Sequence, residues 1–352
     1  MILFLAIVIL LAAGVCLVLR HPAFGRMPGG ERLKRMEQSA HYRKGQFHNL
    51  EHTEFLTSKK SRWEQMLSLI FSKRPDNLSP SQPVEAVKTD LHKLNVQQDQ
   101  LVWFGHSSYL LTQGGHSFLV DPVLCRDFPS SFVLKPFKGT DIYSPDDLPP
   151  VDYLVITHDH FDHLDYATVK AIHSRVKHVV CPLGVGEHLE YWGYEPGMLT
   201  EMDWNESASL PDGVRITCLP ARHFSGRFLK QNPTLWASFM IEAGGKTVFV
   251  GGDSGYGKHF KEIAARFPHI DMALLENGQY SDNWKYIHTQ PHQLPQIIHE
   301  LNPRVVQPVH NSKFALARHP WDEPMRLIQQ AARQDTTIHL LDAVIGKPMR
   351  WN

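Results

Sequence analysis

The sequence predicts an α/β domain that follows an N-terminal transmembrane helix. The chain has 352 residues, and three observations carry this prediction. Residues 1–19 are apolar and carry no charge. Beyond residue 99, the pairs Gly114-Gly115 and Gly244-Gly245 separate short apolar runs, as the turn of a β-hairpin does. The later strand-like runs alternate with segments of helical spacing, which is typical of an α/β domain.

The N-terminal run is long enough for a helix to cross the hydrocarbon core at about 1.5 Å per residue. A cleaved signal peptide would have basic residues before this run and a small-x-small site after it, and neither is present. Seven Lys or Arg and two Glu follow between residues 20 and 50, an excess that favours the cytoplasmic side. We therefore expect a single-pass membrane protein whose main domain is cytoplasmic. The basic residues fit contact with anionic headgroups and an ordinary solvated linker equally well.

The predicted elements divide the chain into three parts. Residues 1–19 form the anchor, residues 20–98 a basic linker with an N-terminal helical extension, and residues 99–352 the main domain. The extension contains one predicted helix at residues 63–71. A strand interrupted at Gly105 is predicted at residues 101–111. Further strands of the main domain are predicted at residues 117–120, 179–181, 213–219, 236–242, 247–250, 272–275 and 338–345, and one more ends at residue 310. Helices are predicted at residues 167–174, 186–192, 260–267, 294–301 and 324–333.

Composition excludes some classes of function. Lys plus Arg and Asp plus Glu both number 36, so the net charge is zero and no basic stripe indicates nucleic-acid binding. The four cysteines, Cys16, Cys125, Cys181 and Cys218, are isolated and form no Cys-x-x-Cys motif. The sequence therefore predicts no disulfide framework.

A dense group of metal-binding residue types follows the apolar run 153–156. His158, His160, Asp162 and His163 fall within six positions. In an extended segment the first three would point to one side, and a turn would bring His163 to them. Imidazole binds zinc, iron, copper and nickel, and a carboxylate adds a hard ligand. A chain with 22 histidines produces single His-x-His pairs by chance, but this density directly after a strand predicts a metal site.

The pattern His-x-His-x-Asp-His resembles that of the metallo-β-lactamase superfamily of two-metal hydrolases. This resemblance implies an αββα sandwich, in which two sheets pack face to face with helices outside. It also implies single metal ligands further along the chain, each at a strand end. The candidates that occur in the expected order are His223, Asp253 and His310.

The same resemblance implies how the ligands are shared between two ions. One ion would be held by His158, His160 and His223. The other would be held by Asp162, His163 and His310. Asp253 would bridge both, since a carboxylate has two oxygens. Two zinc ions are the expected cofactor, with other divalent metals left open.

The aspartate at the bridging position favours the phosphodiesterase, lactonase and thioester-hydrolase branches, because β-lactamases often have cysteine there. Residues 103–108 are similar to a strand of N-acylphosphatidylethanolamine-hydrolysing phospholipase D and of the related ascorbate phosphate lactonases. Residues 309–317 look closest to the phospholipase, in which a Phe-Ala-Leu run likewise follows a metal histidine. The resemblance implies that Asp162 orients the nucleophile and that His288 and His106 lie beside the metals as substrate contacts. His288 is also a candidate catalytic residue. Tyr280, which is near His288 in sequence, is a further candidate substrate contact.

The resemblance thus predicts a zinc-dependent phosphodiesterase of phospholipase D type. It would cleave N-acylphosphatidylethanolamine or a similar phospholipid with a hydroxide that bridges the metals. The expected partners are a phospholipid or other small phosphoester and the membrane, without nucleic acid, and a homodimer is compatible with the sequence. The alternative enzyme is a metal-dependent lactonase or sugar-phosphate hydrolase on a soluble substrate. A non-catalytic binding protein is disfavoured, because such proteins usually lose metal ligands and none is missing here.

Overall fold

The computed structural model describes residues 1, 4–5, 13–15, 17–58, 64, 75–227 and 230–351. The α-helices that pack on the sheets or beside them are α1 (Gly30–Gln38), α2 (Tyr166–Ile172), α3 (Gly186–Tyr191), α4 (His259–Arg266), α5 (Leu294–Leu301) and α6 (Glu323–Gln334). The first described strands are β1 (Tyr42–Arg43), β2 (Gln46–Phe47), β3 (Gln100–Trp103), β4 (Tyr109–Gln113), β5 (His116–Val120), β6 (Val151–Val155), β7 (Val176–Pro182) and β8 (Leu199–Met202). The later strands are β9 (Ser207–Ser209), β10 (Arg215–Leu219), β11 (Ser238–Ala243), β12 (Lys246–Val250), β13 (Met272–Glu276), β14 (Val305–Val309) and β15 (Met349–Arg350).

Two sheets form the centre of the molecule. The seven-stranded sheet has the order β15-β3-β4-β5-β6-β7-β8, and the six-stranded sheet has the order β14-β13-β12-β11-β10-β9. The two hairpin turns predicted from glycine pairs lie against each other, since a Cβ atom on Gly114 would be 2.6 Å from the backbone nitrogen of Gly244. Both glycines have positive φ, which other residues rarely adopt.

The strands are apolar at consecutive positions because both faces of each sheet are covered. Phe118 and Val120 of β5 point into the core between the sheets, where they join Phe239 and Val250 of the other sheet. Leu119 points the opposite way, into the cluster that α2 and α3 cover. This is the period of two expected for strands that are buried on both sides.

The outer face of the six-stranded sheet is covered in the same way. Phe249 of β12 and Ala273 of β13 pack against Phe260 of α4, Ile297 of α5 and Ile328 of α6. The order is therefore helices, sheet, sheet, helices. The αββα sandwich that the sequence pattern implied is confirmed.

The strand directions bring several loops to one edge of the sandwich. β5 and β6 run parallel in one sheet, and β12, β13 and β14 run parallel in the other. Parallel strands end at the same edge, and ligands of α/β proteins typically bind beyond the carboxyl ends of the strands. The loops that follow β6, β10, β12 and β14 carry the candidate metal ligands, and the loop that follows β3 carries His106.

The predicted N-terminal transmembrane helix at residues 1–19 needs correction. Crossing a bilayer takes about 20 apolar helical residues, and within the described ranges no helix reaches the required length and hydropathy. This finding contradicts the predicted helix, so the fold class is corrected to the sandwich alone. Residues 2–3, 6–12 and 16 lie outside the described part. Membrane attachment through that helix and the homodimer are not supported.

The last predicted strand, at residues 338–345, is also wrong. Leu340 makes a single β-bridge with Val306 of β14, and Ile345 makes another with Ala86. β14 and β15 are edge strands of different sheets, so the apolar run crosses from one sheet to the other. A run that changes sheets cannot continue one ladder of hydrogen bonds. The helix predicted at residues 63–71 lies outside the described residues, apart from Glu64.

The described part of residues 20–98 packs closely on the sandwich. Met36 and Phe47 are buried in the core between the sheets. Arg32 of α1 forms ion pairs with Glu187, Glu190 and Glu201. The basic side chain of Arg32 therefore pairs with carboxylates of the same chain. The domain boundary at residue 99 stays a prediction.

Candidate metal centre

The seven candidate ligands meet at the edge where the strands end. The alternation predicted for the loop after β6 is present, because His158 and His160 point to one side while Asp159 points to the other. Asp159 accepts hydrogen bonds there from the Gly226 backbone and the Thr234 hydroxyl, at 2.7 and 3.0 Å. The turn at His163 brings its ring within 4.1 Å of the ring of His158, centroid to centroid.

Three histidines form one compact set of nitrogen atoms. Nε2 of His158 lies 2.9 Å from Nδ1 of His160. Nε2 of His223 lies 3.2 Å from the same Nδ1 atom. His223 comes from the loop after β10, so this set joins the two sheets.

A second set lies beside the first. Nε2 of His310 is 3.5 Å from Oδ2 of Asp162, and Nε2 of His163 is 3.7 Å from it. The Asp253 carboxylate lies between the two sets. Its Oδ1 is 3.2 Å from Nε2 of His163, and its Oδ2 is 3.1 Å from Nε2 of His310 and 3.7 Å from Nε2 of His223.

The backbone at Gly252 explains how Asp253 reaches this position. Gly252 has φ of 59°, and a Cβ atom there would lie 2.9 Å from the carbonyl oxygen of Ala237 and 3.0 Å from Cβ of Thr157. A larger residue would push the loop after β12 away from the loop after β6. Glycine therefore allows the carboxylate from one sheet to approach the histidines of the other.

Partners behind the histidines decide which ring nitrogens face inward. A carboxylate can only accept, so Nδ1 of His163, 2.7 Å from Oδ2 of Asp121, donates to it. The Thr157 hydroxyl also donates to Asp121, at 2.6 Å, and it accepts from Nδ1 of His158, at 3.0 Å. Nδ1 of His223 donates to the carbonyl oxygen of Ile287, at 2.7 Å. The Nε2 atoms of these three rings are thereby left for a cation at the centre.

The donor set fits a metal on its own chemistry. Nε2 of His158 and Nε2 of His223 both present lone pairs to His160, and one proton on His160 cannot satisfy both. Several buried atoms here have no hydrogen-bond partner, namely Nε2 of His160, Nε2 of His163, Oδ1 of Asp253 and both ring nitrogens of His310. Buried polar atoms without partners are costly, and a metal ion removes that cost.

The electrostatics of the second ligand set favour positive charge at His310. Burial alone would raise the pKa of Asp253, but His163 and His310 beside it hold that pKa well below its usual value. Burial would lower the pKa of His310, yet Asp253 and Asp162 raise it to about 10. The carboxylates therefore stabilise a cation at these nitrogens, where a proton and a metal ion compete.

Two carboxylates that sequence reasoning missed support the centre. Asp121 directly follows β5, and Glu276 is the last residue of β13, so both stand at strand ends like the proposed ligands. Glu276 is buried, it contacts Nδ1 of His288 closely, and it lies 3.5 Å from Nδ1 of His310. A carboxylate at the end of an apolar run was the available signal. Asn49, which bonds the His223 backbone, gave no such signal.

The three proposed substrate contacts lie in different surroundings. His288 lines a cavity of about 410 Å³ at the centre, together with Asp162 and Asp253. His106 is fully buried, and its Nε2 lies 3.0 Å from Oδ2 of Asp162, so it holds this candidate ligand from behind. Tyr280 is not among the lining residues, and its hydroxyl donates to Glu323 at 2.7 Å. The neighbouring Gln279 lines the cavity in its place.

Sequence comparison agrees with this fold. The family described as the Beta-lactamase superfamily domain matches residues 116–311. The chain belongs to the metallo-β-lactamase superfamily. It is accordingly a metal-dependent hydrolase with a candidate metal-binding cluster of His and Asp residues.

Relatives and solved structures extend this comparison. An uncharacterized protein of Mycobacterium tuberculosis is 36% identical over 312 residues, covering 86% of this chain and 82% of that protein. The N-acyl-phosphatidylethanolamine-hydrolyzing phospholipase D 1 of Caenorhabditis elegans is 33% identical over 198 residues, which cover 52% of this chain and only 54% of that protein. The structure of a metallo hydrolase from Ignicoccus hospitalis has a TM-score of 0.57 at 21% identity, covering 72% of this chain and 99% of that one. This last similarity concerns the fold.

Removing the carboxylate behind the histidines tests the proposed ligand geometry. We expect Asp121→Asn to weaken zinc binding by about 10- to 100-fold, because the amide no longer accepts from both His163 and Thr157. The measurement is a competition titration of the metal-free protein against a chromogenic chelator. Asp152→Asn, at the other end of β6 and paired with Lys177, is the matched control and should bind zinc as the unmodified protein does. Equal zinc affinities for Asp121→Asn and the unmodified protein would contradict the assignment.

Proposed function

We propose that this hydrolase is a zinc-dependent phosphodiesterase of phospholipase D type. Its substrate would be N-acylphosphatidylethanolamine or a similar phospholipid, and its products phosphatidic acid and the released alcohol. The observation that carries the proposal is the pair of ligand sets on either side of the Asp253 carboxylate. Two divalent ions held there would supply positive charge for the phosphate oxygens and would lower the pKa of a bound water.

The proposed ligand assignment follows the two sets. His158, His160 and His223 form the first one. Asp162, His163 and His310 form the second one. Oδ2 of Asp253 lies near His223 of the first set and His310 of the second, and Oδ1 lies near His163, so this carboxylate is placed to be shared by both sets. Zinc suits the mixed nitrogen and oxygen donors.

Asp162 and His288 have separate roles in the proposed reaction. Asp162 faces the cavity and is oriented by His106, so it can accept a hydrogen bond from the attacking water. As the bond from phosphorus to the leaving alcohol breaks, the alkoxide oxygen needs a proton. A His288 ring that carries a proton on both nitrogens is placed to give it, because its Nδ1–H donates to Glu276 and its Nε2–H is left for the cavity.

The cavity wall favours a lipid over a sugar phosphate. Phe224, Trp284, Ile287 and Leu316 line it, and no Lys or Arg is present among its described lining residues. The similarity to a nematode enzyme named as an N-acyl-phosphatidylethanolamine-hydrolyzing phospholipase D supports the same substrate class. A lactonase or sugar-phosphate hydrolase on a soluble substrate is the second candidate, since the proposed ligand set suits both reactions.

The test of this function is the release of phosphatidic acid from N-acylphosphatidylethanolamine in mixed micelles. We expect no release by metal-free protein and recovery of the activity when zinc is added, because the proposed ions supply the charge on the attacked phosphate. A zinc-loaded protein that leaves the lipid intact but hydrolyses a lactone or a sugar phosphate would contradict the phospholipase proposal and favour the second candidate.

The role of His288 is tested by changing the leaving group. We expect His288→Ala to slow hydrolysis of an alkyl phosphodiester by about 10²- to 10⁴-fold, the usual contribution of a general acid. A nitrophenyl phosphodiester should slow far less, because nitrophenolate leaves without a proton. His292→Ala, on an exposed histidine of the same loop, should leave both rates unchanged. Equal losses on the two substrates after His288→Ala would rule out the proton transfer.

A further inference from the structure

Residues 49–57, which we call the strap, run across the mouth of the cavity. They precede the segment that matches the superfamily, residues 116–311. Thr53, Phe55 and Thr57 are partly buried while His52 and Glu54 are exposed, the alternation of an extended segment. Leu56 is also exposed, but it lies at the cavity. One edge of the strap therefore contacts the hydrolase domain and the other faces solvent.

One end of the strap is tied to the loop after β10. The Asn49 side chain donates to the carbonyl oxygen of His223 at 2.8 Å and accepts from the His223 backbone nitrogen at 3.1 Å. The guanidinium group of Arg222 donates to the Thr53 hydroxyl at 3.0 Å and to the carbonyl oxygen of His52 at 2.8 Å. The strap is thus bonded directly to the backbone of a proposed metal ligand.

The other end is tied to the loop after β13. The Thr57 backbone nitrogen donates to the carbonyl oxygen of Asn283 at 2.8 Å. The Thr57 hydroxyl donates to the carbonyl oxygen of Asp282 at 2.6 Å. The strap therefore spans the gap between two loops that come from different strands of the six-stranded sheet.

Between these ties the strap places two apolar side chains in the cavity wall. Phe55 and Leu56 are lining residues, and the ring of Phe55 lies 5.3 Å from the ring of Phe224, edge to face. The Phe224 ring in turn lies 4.3 Å from the ring of His160. An apolar wall consequently leads from the strap to the metal centre.

We infer that the strap completes a subsite for an apolar chain of the substrate. A phosphodiester that carries an acyl or long alkyl group would place its phosphate at the metal centre and its chain along the wall that Phe55 and Phe224 form. Burial of that chain provides the binding energy, in proportion to the apolar area removed from water. The inference rests on the proposed phosphodiesterase function and assigns chain selectivity to a segment that precedes the matched superfamily domain.

The test compares p-nitrophenyl alkyl phosphates with methyl, butyl and octyl groups. The nitrophenolate leaving group makes these substrates insensitive to proton donation by His288. For the zinc-loaded protein we expect kcat/KM to rise with chain length. In Phe55→Ala the octyl-to-methyl ratio of kcat/KM should fall by about tenfold or more, since part of the apolar wall is lost, and Phe55→Leu should restore much of it.

Glu54→Ala is the matched control, because Glu54 is the exposed neighbour of Phe55 on the strap. This variant should keep the ratio and the rate of the unmodified protein. A binding readout comes from calorimetry with a non-hydrolysable octyl phosphonate, whose affinity should fall in Phe55→Ala and stay constant in Glu54→Ala.

One result would contradict the subsite alone, and another would contradict the proposed function as well. If the unmodified protein shows chain-length selectivity and Phe55→Ala keeps it, the subsite is wrong while the phosphodiesterase function stands. If the zinc-loaded protein hydrolyses none of these diesters, the proposed function is overturned and the subsite with it.

Discussion

The rest of the structure depends on a group of buried imidazole nitrogens and carboxylate oxygens at one edge of the sandwich. These atoms require a cation among them. Asp253 and Asp162 are the acids of the cluster, and both lie within 4 Å of histidine nitrogens. Without a cation, several of these atoms have no partner. The supporting residues Asp121 and Thr157 turn the rings so that the same nitrogens face inward, which is the arrangement that a metal site needs.

The fold meets this requirement by bringing strand ends from two sheets together. Loops of one sheet supply His158 and His163, and loops of the other supply Asp253 and His310. Neither sheet alone holds a complete ligand set, so packing of the core between the sheets is a condition for metal binding. The strap adds a third contribution from outside the matched superfamily segment, because Asn49 bonds to the backbone of His223.

The local patterns of the sequence were enough to name the candidate ligands that the structure brings together, but they could not show long-range contacts. The spacing from His158 to His163 shows both the strand end and the alternation. Glu276 could not be assigned, because its partner His288 arrives from a separate loop. The run at residues 338–345 has strand composition but crosses between the sheets, which depends on tertiary packing. The strap has no periodic apolar pattern, so its position over the cavity became apparent only from its hydrogen bonds.

The most direct test of the account is the number of metal ions that each chain binds. The measurement is elemental analysis of metal-free protein after reconstitution with zinc and removal of excess ion, for the unmodified chain and for Asp253→Ala. If the two ligand sets share the Asp253 carboxylate, the unmodified chain should hold about two zinc ions, as in other two-metal sites. Asp253→Ala should hold fewer. One ion or none in the unmodified chain, or the same content in both proteins, would contradict the bridged centre.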